Sequence, residues 1–306
     1  MSETQLDLES AARVLEDSAD YRVLRRLPVR DRFADGPIDA DQLASAVVLD
    51  TETTGIDTER DQVIELALVR FRYVAATGAL VDIENVYSAL EDPGTPIPPG
   101  ATAIHGITDA MVRGQCVDDA RVTELLRDAA WVVAHNAGFD RRFVERRWPV
   151  FESCRWVCSY AEVPWAEEGY PGAKLEYLVT QAGFFFDAHR SEMDCRALLE
   201  VLRQPLPRLG RTVWQQLLAS GGQVTHRLWA LGSPFESKDL LKARGYRWHA
   251  GRRCWHTQLP VGEQAGELTW LRENIYGGRS REIEIEDCDA TQRYSARPGR
   301  VRRVAL

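Results

Sequence analysis

Hydrophobic residues in the first part of the chain fall either in short continuous runs or at helical spacing. The continuous runs predict strands at 46–50, 63–73, 81–90 and 131–134. Apolar residues three and four positions apart predict helices at 117–129, 138–147, 174–182 and 191–203. Strands followed by alternating helices and strands are typical of a mixed sheet with helices on its faces. We therefore expect an α/β domain over residues 41–205.

A second, smaller group of elements follows Pro205. Its strand patterns and helix boundary residues predict a βαββαβ unit with elements at 225–231, 234–244, 246–249, 253–256, 263–274 and 282–285. Residues 1–40 carry a helical pattern and then a linker rich in Pro, Gly and Asp. The predicted organisation is thus an N-terminal extension over 1–40, the α/β domain over 41–205 and a small α+β domain over 206–306.

The net charge of −8 is unevenly distributed along the chain. Residues 1–205 hold 21 Lys and Arg against 36 Asp and Glu, a balance of −15, whereas residues 206–306 hold 17 against 10, a balance of +7. A basic region can contact phosphates, and bound cations can neutralise an acidic one. The division therefore favours an acidic catalytic part and a basic part that contacts nucleic acid.

Localisation and redox state follow from what the sequence lacks. No apolar run approaches the roughly 20 residues of a membrane-spanning helix. The acidic N-terminus has neither the basic start nor the apolar core of a signal peptide. The six cysteines show no metal-ligand spacing, so we expect reduced, mostly buried thiols. These features predict a cytoplasmic protein without membrane attachment.

Asp50 and Glu52 end an apolar strand and point to the same face, because side chains alternate along a strand. Two neighbouring carboxylates beside apolar residues are costly unless a cation neutralises them. Mg²⁺ and Mn²⁺ prefer carboxylate oxygens. Taken alone, the pair is compatible with a metal site or with an ordinary solvated strand end.

Three more polar residues stand beside predicted helices. Asp140 falls in the first turn of the helix after the fourth predicted strand. Asp194 lies near the start of the helix at 191–203, where Ser191 is the expected N-cap, so helix capping is an alternative role for Asp194. His189, just before this helix, is by itself also compatible with an ordinary loop histidine.

Four motifs follow one another along this part of the chain. They are DTETTG at 50–55, IHGIT at 104–108, AHNAGFD at 134–140, and His189 with Asp194. In order and spacing they resemble the DEDDh 3′–5′ exonucleases, the superfamily of the proofreading subunit of bacterial DNA polymerase III. The resemblance implies a ribonuclease H-like fold with helices on both faces of the sheet. Histidine rather than tyrosine at 189 assigns the chain to the DEDDh branch.

The resemblance also implies an activity: metal-dependent removal of nucleotides from the 3′ end of DNA, of the proofreading or repair type. Asp50, Glu52, Asp140 and Asp194 would hold two Mg²⁺ or Mn²⁺ ions, and His189 would take the proton from the attacking water. The expected partner is nucleic acid with a single-stranded 3′ end, with DNA favoured over RNA.

Six further residues match family positions around the 3′-terminal nucleotide. They are Thr53, Thr54, Glu65, His105, Asn136 and Phe139. For three of them a structural role is an open alternative. His105 is compatible with local packing in a turn, Phe139 with packing on its helix face, and Glu65 with lining a strand edge.

The C-terminal domain contains an aromatic and basic hairpin. Its residues are Arg244, Tyr246, Arg247, Trp248, Arg252, Arg253 and Trp255. Aromatic faces can stack single-stranded bases and arginines can hold phosphates. The alternative is that the aromatic side chains fill the core of a small domain.

Two other functions fit part of this pattern. An RNA-trimming exoribonuclease of the same superfamily would carry the same motifs, because motif chemistry does not distinguish the sugar. A non-catalytic nucleic-acid-binding module would have lost some of the five catalytic residues, all of which are present here. Separately, residues 5–8 resemble the start of a sliding-clamp-binding peptide, but Glu9 replaces its final aromatic residue. Attachment to a clamp or polymerase therefore stays an open alternative.

Overall fold

Five strands form the sheet of the first domain. They are β1 (Leu43–Thr53), β2 (Val63–Val74), β3 (Leu80–Leu90), β4 (Trp131–Ala134) and β5 (Trp156–Cys158). Their order across the sheet is β3-β2-β1-β4-β5, with β1 to β3 antiparallel and β4 and β5 parallel to β1. This computed structural model describes residues 7–259 and 262–306. The predicted mixed sheet is confirmed.

Helices cover both faces of this sheet, as expected for the predicted ribonuclease H-like class. In chain order the helices are α1 (Leu8–Glu16), α2 (Pro99–His105), α3 (Asp109–Val112), α4 (Asp119–Leu126), α5 (Ala137–Arg147), α6 (Leu175–Gln181), α7 (Ser191–Arg203), α8 (Val213–Gly221), α9 (Lys238–Ala243) and α10 (Gln264–Asn274). α4 and α5 contribute to the hydrophobic core on one face, and α6, α7 and α8 to the core on the other.

The alternation of side chains along β1 decides which acids meet which helix. Leu49 belongs to the core beneath α5, whereas Val48 belongs to the core beneath α7. Asp50 and Glu52 continue the Val48 face, and Thr51 continues the Leu49 face. The two carboxylates therefore project towards α7, and the hydroxyl between them projects towards α5.

Segments on both sides of residues 41–205 pack into the core of the first domain. Trp214 in α8 is fully buried, with its ring 5.4 Å from that of Phe71. Leu27, from the N-terminal region, is buried in the same cluster. The core thus includes side chains from outside the predicted domain, and the domain boundaries stay a prediction.

The C-terminal part forms a separate, fully antiparallel sheet, which confirms the predicted small α+β domain. Its strands are β6 (Thr225–Ala230), β7 (Arg247–His249), β8 (Cys254–Leu259), β9 (Glu282–Cys288) and β10 (Arg300–Ala305), in the order β7-β8-β6-β9-β10. α9 and α10 contribute to its core. β10 was not predicted, because an arginine-rich edge strand with only two separated valines lacks the apolar signal of a strand.

Residues 289–297, which follow β9, hold the second sheet against the first domain. Arg141 on α5 is fully buried and donates to three backbone carbonyls of this segment. Arg293 in the segment pairs with Glu162 at 3.1 Å, and the Tyr294 hydroxyl donates to the same carboxylate at 2.8 Å. Buried guanidinium groups are tolerated only with such partners, so these contacts fix how the two domains lie relative to each other.

The N-terminal helix is peripheral to this framework, whereas most of the thiols are buried in it. α1 has no buried residue, and the clamp-like segment includes Gln5 and Leu6, which lie outside the described residues. All six cysteines are free thiols, and four of them are buried. Across residues 7–259 and 262–306, no helix combines the length and apolar character needed to cross a membrane.

Candidate active site

The predicted acids meet at the edge of the first sheet where the parallel strands β1 and β4 end. Asp50 and Glu52 come from β1, and Asp194 comes from the beginning of α7, which packs across β1 and β2. One oxygen of each of these three carboxylates lies within 4.8 Å of the others. A cavity of about 200 Å³ opens here, and its lining also includes Asp140 and His189. All five predicted catalytic residues thus face one cavity.

Asp140 reaches this cavity from the α5 side of the sheet. α5 begins directly after β4, and Asn136 between them has a positive φ of 80°, which turns the chain sharply into the helix. Thr51 donates its hydroxyl to Oδ1 of Asp140 at 2.8 Å, and both residues are buried. Sequence analysis overlooked Thr51. Its signal is its place between Asp50 and Glu52, which directs it to the opposite face.

Glu65 does not line the cavity but holds the start of the helix that carries Asp194. Its buried carboxylate on β2 accepts from the Ser191 amide at 3.0 Å, from the Ser191 hydroxyl at 2.8 Å and from Arg190 at 2.8 Å. Asp194 in turn accepts from the Arg190 amide at 3.0 Å. The prediction of Ser191 as N-cap is wrong by one residue, since Arg190 is the N-cap. Asp194 both binds the helix start and lines the cavity.

Burial raises the pKa of every carboxyl group in the cluster. Burial, with repulsion from Asp140, Asp194 and Glu52, raises the pKa of Asp50 well above its usual range. Burial and the neighbouring acids raise the pKa of Glu52 to about 8. Burial raises the pKa of Asp140 to about 7 and that of Asp194 to about 6. Four acids are therefore crowded where their ionised forms are unfavourable.

The cluster has the properties of a divalent-cation site. Arg190 lowers the pKa of Glu52, but its guanidinium is already paired with Glu65 at 2.8 Å. A divalent ion would favour the ionised carboxylates that now repel one another. The ligands are all carboxylates, the donors that Mg²⁺ and Mn²⁺ prefer. The residues present therefore fit divalent ions bound by Asp50, Glu52, Asp140 and Asp194.

This crowding predicts how stability depends on pH. In the unfolded chain these acids ionise near pH 4, whereas in the fold Asp194, Asp140 and Glu52 keep protons up to about pH 6, 7 and 8. The folded state then binds more protons between about pH 4 and 8, so the stability that these groups contribute at low pH is lost as the pH rises through 8. We expect the metal-free Tm to fall by about 5 °C or more between about pH 6 and 8.5, and Mg²⁺ to raise it most at the upper end.

A double variant tests the assignment of this effect. Asp50→Asn with Glu52→Gln removes two ionisable groups, so its Tm should depend less on pH and respond little to Mg²⁺. Glu192→Gln is the matched control, because Glu192 also lies on α7 but pairs with Arg196 at 2.9 Å. A wild-type Tm that rises across the window in thermal unfolding would contradict the raised pKa values.

His189 lies at the mouth of the cavity on the loop before α7. Its side chain is 49% exposed, and its Nε2 lies 3.8 Å from Oε1 of Glu176. Its φ of 65° is in the left-handed region, which is unfavourable for residues other than glycine. Such backbone conformations are concentrated at functional sites, where the surrounding structure maintains them.

His135 also lines the cavity and was not singled out by sequence analysis. Its ring nitrogens lie 2.9 Å from the Ser159 hydroxyl and 2.8 Å from the Ala173 carbonyl. Burial lowers the pKa of His135 to about 4. With both nitrogens engaged and the cationic form unfavourable, His135 is a fixed structural group.

The other predicted substrate-binding residues separate into two groups. Asn136 and Phe139 line the cavity, and the Phe139 ring also packs 4.9 Å from that of Phe143. Thr53 is the last residue of β1, Thr54 lies in the turn that follows, and both are buried. Their hydroxyl groups bond within this turn, so only their backbone could contact a ligand without rearrangement.

His105 occupies the end of α2 rather than a loop. It is buried, and its Nδ1 accepts from the Ile107 amide at 3.0 Å. Within the described part of the chain its Nε2 has no hydrogen-bond partner. These contacts agree with the alternative of local packing, and a role for His105 at the 3′ end stays a prediction.

Comparisons with known proteins agree on the family. Residues 47–202 match the model of the RNase T family, described as an exonuclease. A DNA polymerase III subunit epsilon-like protein of Rhodobacter capsulatus is 39% identical over 118 residues, or 38% of this chain and 16% of that protein. The DNA polymerase III subunit epsilon of Treponema pallidum is 32% identical over 168 residues, or 50% of this chain and 72% of that protein.

A solved structure adds a further match. Exonuclease X in complex with 5′-overhanging duplex DNA is 29% identical, and the match covers 56% of this chain and 97% of that chain with a TM-score of 0.40. This chain spans well under two thirds of the Rhodobacter relative. The five residues around the cavity, Asp50, Glu52, Asp140, His189 and Asp194, all lie within the matched range 47–202.

Proposed function

The chain belongs to the RNase T family of exonucleases and is a nuclease, and we propose that it removes nucleotides from the 3′ end of DNA with two divalent ions. The observation that carries the proposal is the meeting of Asp50, Glu52 and Asp194 within 4.8 Å in a cavity that Asp140 and His189 also line. The names of the epsilon and epsilon-like relatives favour DNA as the substrate and a proofreading or repair context.

The carboxylates would hold the ions from both faces of the sheet. Asp50, Glu52 and Asp194 form the set on the α7 side, and Asp140 joins them from α5. When bound, the ions would supply a water of lowered pKa and neutralise charge on the phosphate. The Thr51 hydroxyl donates to Oδ1 of Asp140 and so holds this carboxylate in position.

His189 is the proposed general base. It is the exposed histidine of the cavity lining, whereas His135 has both ring nitrogens in hydrogen bonds. A base must reach the water that attacks the phosphate, and a loop position at the mouth permits that approach. Asn136 and Phe139 complete the lining, where an amide can bond to a nucleotide and an aromatic ring can contact a base.

A digestion series tests the function. With Mg²⁺, a 3′-labelled DNA strand should lose its label at once as a mononucleotide, whereas a 5′-labelled strand should shorten stepwise. Parallel reactions with a mispaired duplex and an RNA strand rank the substrates. EDTA and a 3′-blocked strand are the controls. Faster release from RNA than from DNA would instead identify an exoribonuclease, and internal cleavage of the blocked strand would contradict an exonuclease.

A further inference from the structure

A second cavity lies between the two domains and adjoins the active site. This interdomain cleft has a volume of about 360 Å³. Its lining includes, from the first domain, Asn136, Gly138, Arg142 and Tyr160, and, from the second domain, Arg227, Arg247 and His256. None of the described residues that line it is acidic, although the chain as a whole has a net charge of −8. The cleft is thus a local concentration of positive charge in an acidic protein.

The arginines of the cleft are available to an anion. Arg142 and Arg247 are exposed, and neither has a carboxylate within 4.0 Å among residues 7–259 and 262–306. The buried carboxylate of Glu286 lies 3.3 Å from the Arg227 guanidinium and holds this side chain in position. Three guanidinium groups therefore face the same space: those of Arg142 and Arg247, which have no acidic partner among the described residues, and that of Arg227, which Glu286 holds. Guanidinium groups form paired hydrogen bonds with phosphate oxygens.

Two contacts connect the cleft to the active site. Asn136 lines both cavities, because it stands at the start of α5 between them. Tyr160 lines the cleft, and its ring stands edge-on to that of His135 in the active-site lining, 5.7 Å away. Tyr160 is 48% exposed, so its face is open to a base.

The cleft continues away from the active site. A neighbouring cavity of about 460 Å³ shares Ala161, Gln258 and Tyr294 with the cleft, and its lining includes the exposed Arg211 as well as Glu162, which is paired with Arg293. The contacts of residues 289–297 with the first domain hold the two walls in place. The interdomain cleft is thus a fixed feature of the folded chain rather than a gap between two domains that move independently.

We propose that this interdomain cleft holds the phosphates of the single-stranded substrate on the 5′ side of the nucleotide in the active site. The proposal rests on the proposed function, because a strand cut at its 3′ end can leave the cavity only in its 5′ direction. Arg142 and Arg247 bind successive phosphates, and Tyr160 stacks a base between them and the active site. The second domain is therefore a substrate-binding module that lengthens the site.

The structure also revises the residues first considered for this role. In the predicted aromatic and basic hairpin, Tyr246 and Trp255 are buried in the domain core, as the packing alternative had it. Arg244 is paired with Glu267 at 2.9 Å, and Arg252 is paired with Glu284. Of the hairpin residues, Arg247 is the one that lines the cleft.

The experiment compares a cleft variant with a control of equal charge. The cleft variant is Arg142→Ala with Arg247→Ala, and the control is Arg13→Ala with Arg272→Ala, which removes two exposed arginines from α1 and α10. Binding of a 5′-labelled DNA strand of about 20 nucleotides, longer than one single-strand groove covers, is measured by fluorescence anisotropy in EDTA. Hydrolysis of this strand and of a trinucleotide is measured with Mg²⁺.

The cleft variant should bind the long strand about tenfold to a hundredfold more weakly than wild type. The slope of log K against log salt should fall by about 1.4, since each phosphate contact on a single strand contributes about 0.7. With Mg²⁺, KM for the long strand should rise about tenfold more than KM for the trinucleotide. The control variant should stay within about twofold of wild type in every measurement.

The two failures are distinguishable. Unchanged long-strand affinity and salt slope in the cleft variant, with normal trinucleotide hydrolysis, would overturn the cleft proposal and leave the proposed function intact. If the cleft variant binds the long strand more weakly as expected, but neither wild type nor variant hydrolyses any strand, the cleft proposal is supported and the exonuclease function is overturned. If the variant instead loses affinity for a polyglutamate peptide and keeps that for DNA, the cleft is a docking site for an acidic protein segment and the proposal is overturned.

Discussion

Asp50→Asn and Glu52→Gln should each reduce Mg²⁺-dependent release of 3′ nucleotides at least about a hundredfold. Each substitution keeps the size of the side chain and removes one of three carboxylates that lie within 4.8 Å of one another. In the metal-free fold burial raises the pKa of both groups, with a smaller contribution from neighbouring acids, and each substitution removes one of these buried acids. We therefore expect the Tm of the metal-free variant to rise at about pH 8 while the activity falls.

A rise in Tm together with a fall in activity distinguishes loss of the metal site from loss of folding. A destabilised enzyme would lose activity and Tm together. Glu192→Gln is again the matched control, because it removes a carboxylate from α7 outside the cavity and should leave the nuclease rate within about twofold of wild type. Full activity in either Asp50→Asn or Glu52→Gln, measured with a 3′-labelled strand, would remove the metal assignment.

Much of the first domain could be predicted because its signals are local. The strand predicted at 63–73 and the helix predicted at 191–203 are found at Val63–Val74 and Ser191–Arg203. Apolar periodicity reports which face of an element is buried, and it needs only neighbouring residues. Asp50 and Glu52 could be assigned to one face for the same reason. What joins Asp140 to them is the pairing of β1 with β4, a contact between distant residues.

Residues that act through a long-range partner were missed or assigned differently. Thr51 is interpretable only once Asp140 is known to lie opposite it on α5. Glu65 was predicted either to contact the substrate or to line a strand edge, and in the fold its oxygens accept from Ser191 and Arg190. An acid in an apolar strand gives the same sequence pattern whether the acid contacts the substrate or holds the start of a neighbouring helix. Only the tertiary fold shows that its partners are the residues before Asp194.

The cleft was beyond sequence analysis for a related reason. Counting charges located an excess of seven positive charges in residues 206–306. It could not show that Glu267 and Glu284 neutralise Arg244 and Arg252 while Arg247 has no acidic partner among the residues that the structure describes. Nor could it show that Arg142, from the acidic part of the chain, faces the basic domain. Local charge depends on which side chains pair, and pairing is decided by the fold.

The identity of the general base depends on excluding the other histidines. His105 is buried, and its Nδ1 accepts from the Ile107 amide. His135 has both nitrogens engaged, and burial lowers its pKa to about 4. The His189 side chain is 49% exposed, and its Nε2 lies 3.8 Å from Oε1 of Glu176.

His189→Asn should lower kcat by about 10²–10⁴-fold, the usual contribution of a general base. Asparagine adopts the left-handed backbone of position 189 readily, so the loop and the Tm should be unchanged. The Mg²⁺ concentration for half-maximal rate should also stay the same, because His189 is not a proposed ligand. The measurement is the rate of hydrolysis of a 3′-labelled strand at saturating Mg²⁺, with wild type and variant compared side by side. A kcat of His189→Asn within about twofold of wild type would assign the proton transfer to another group.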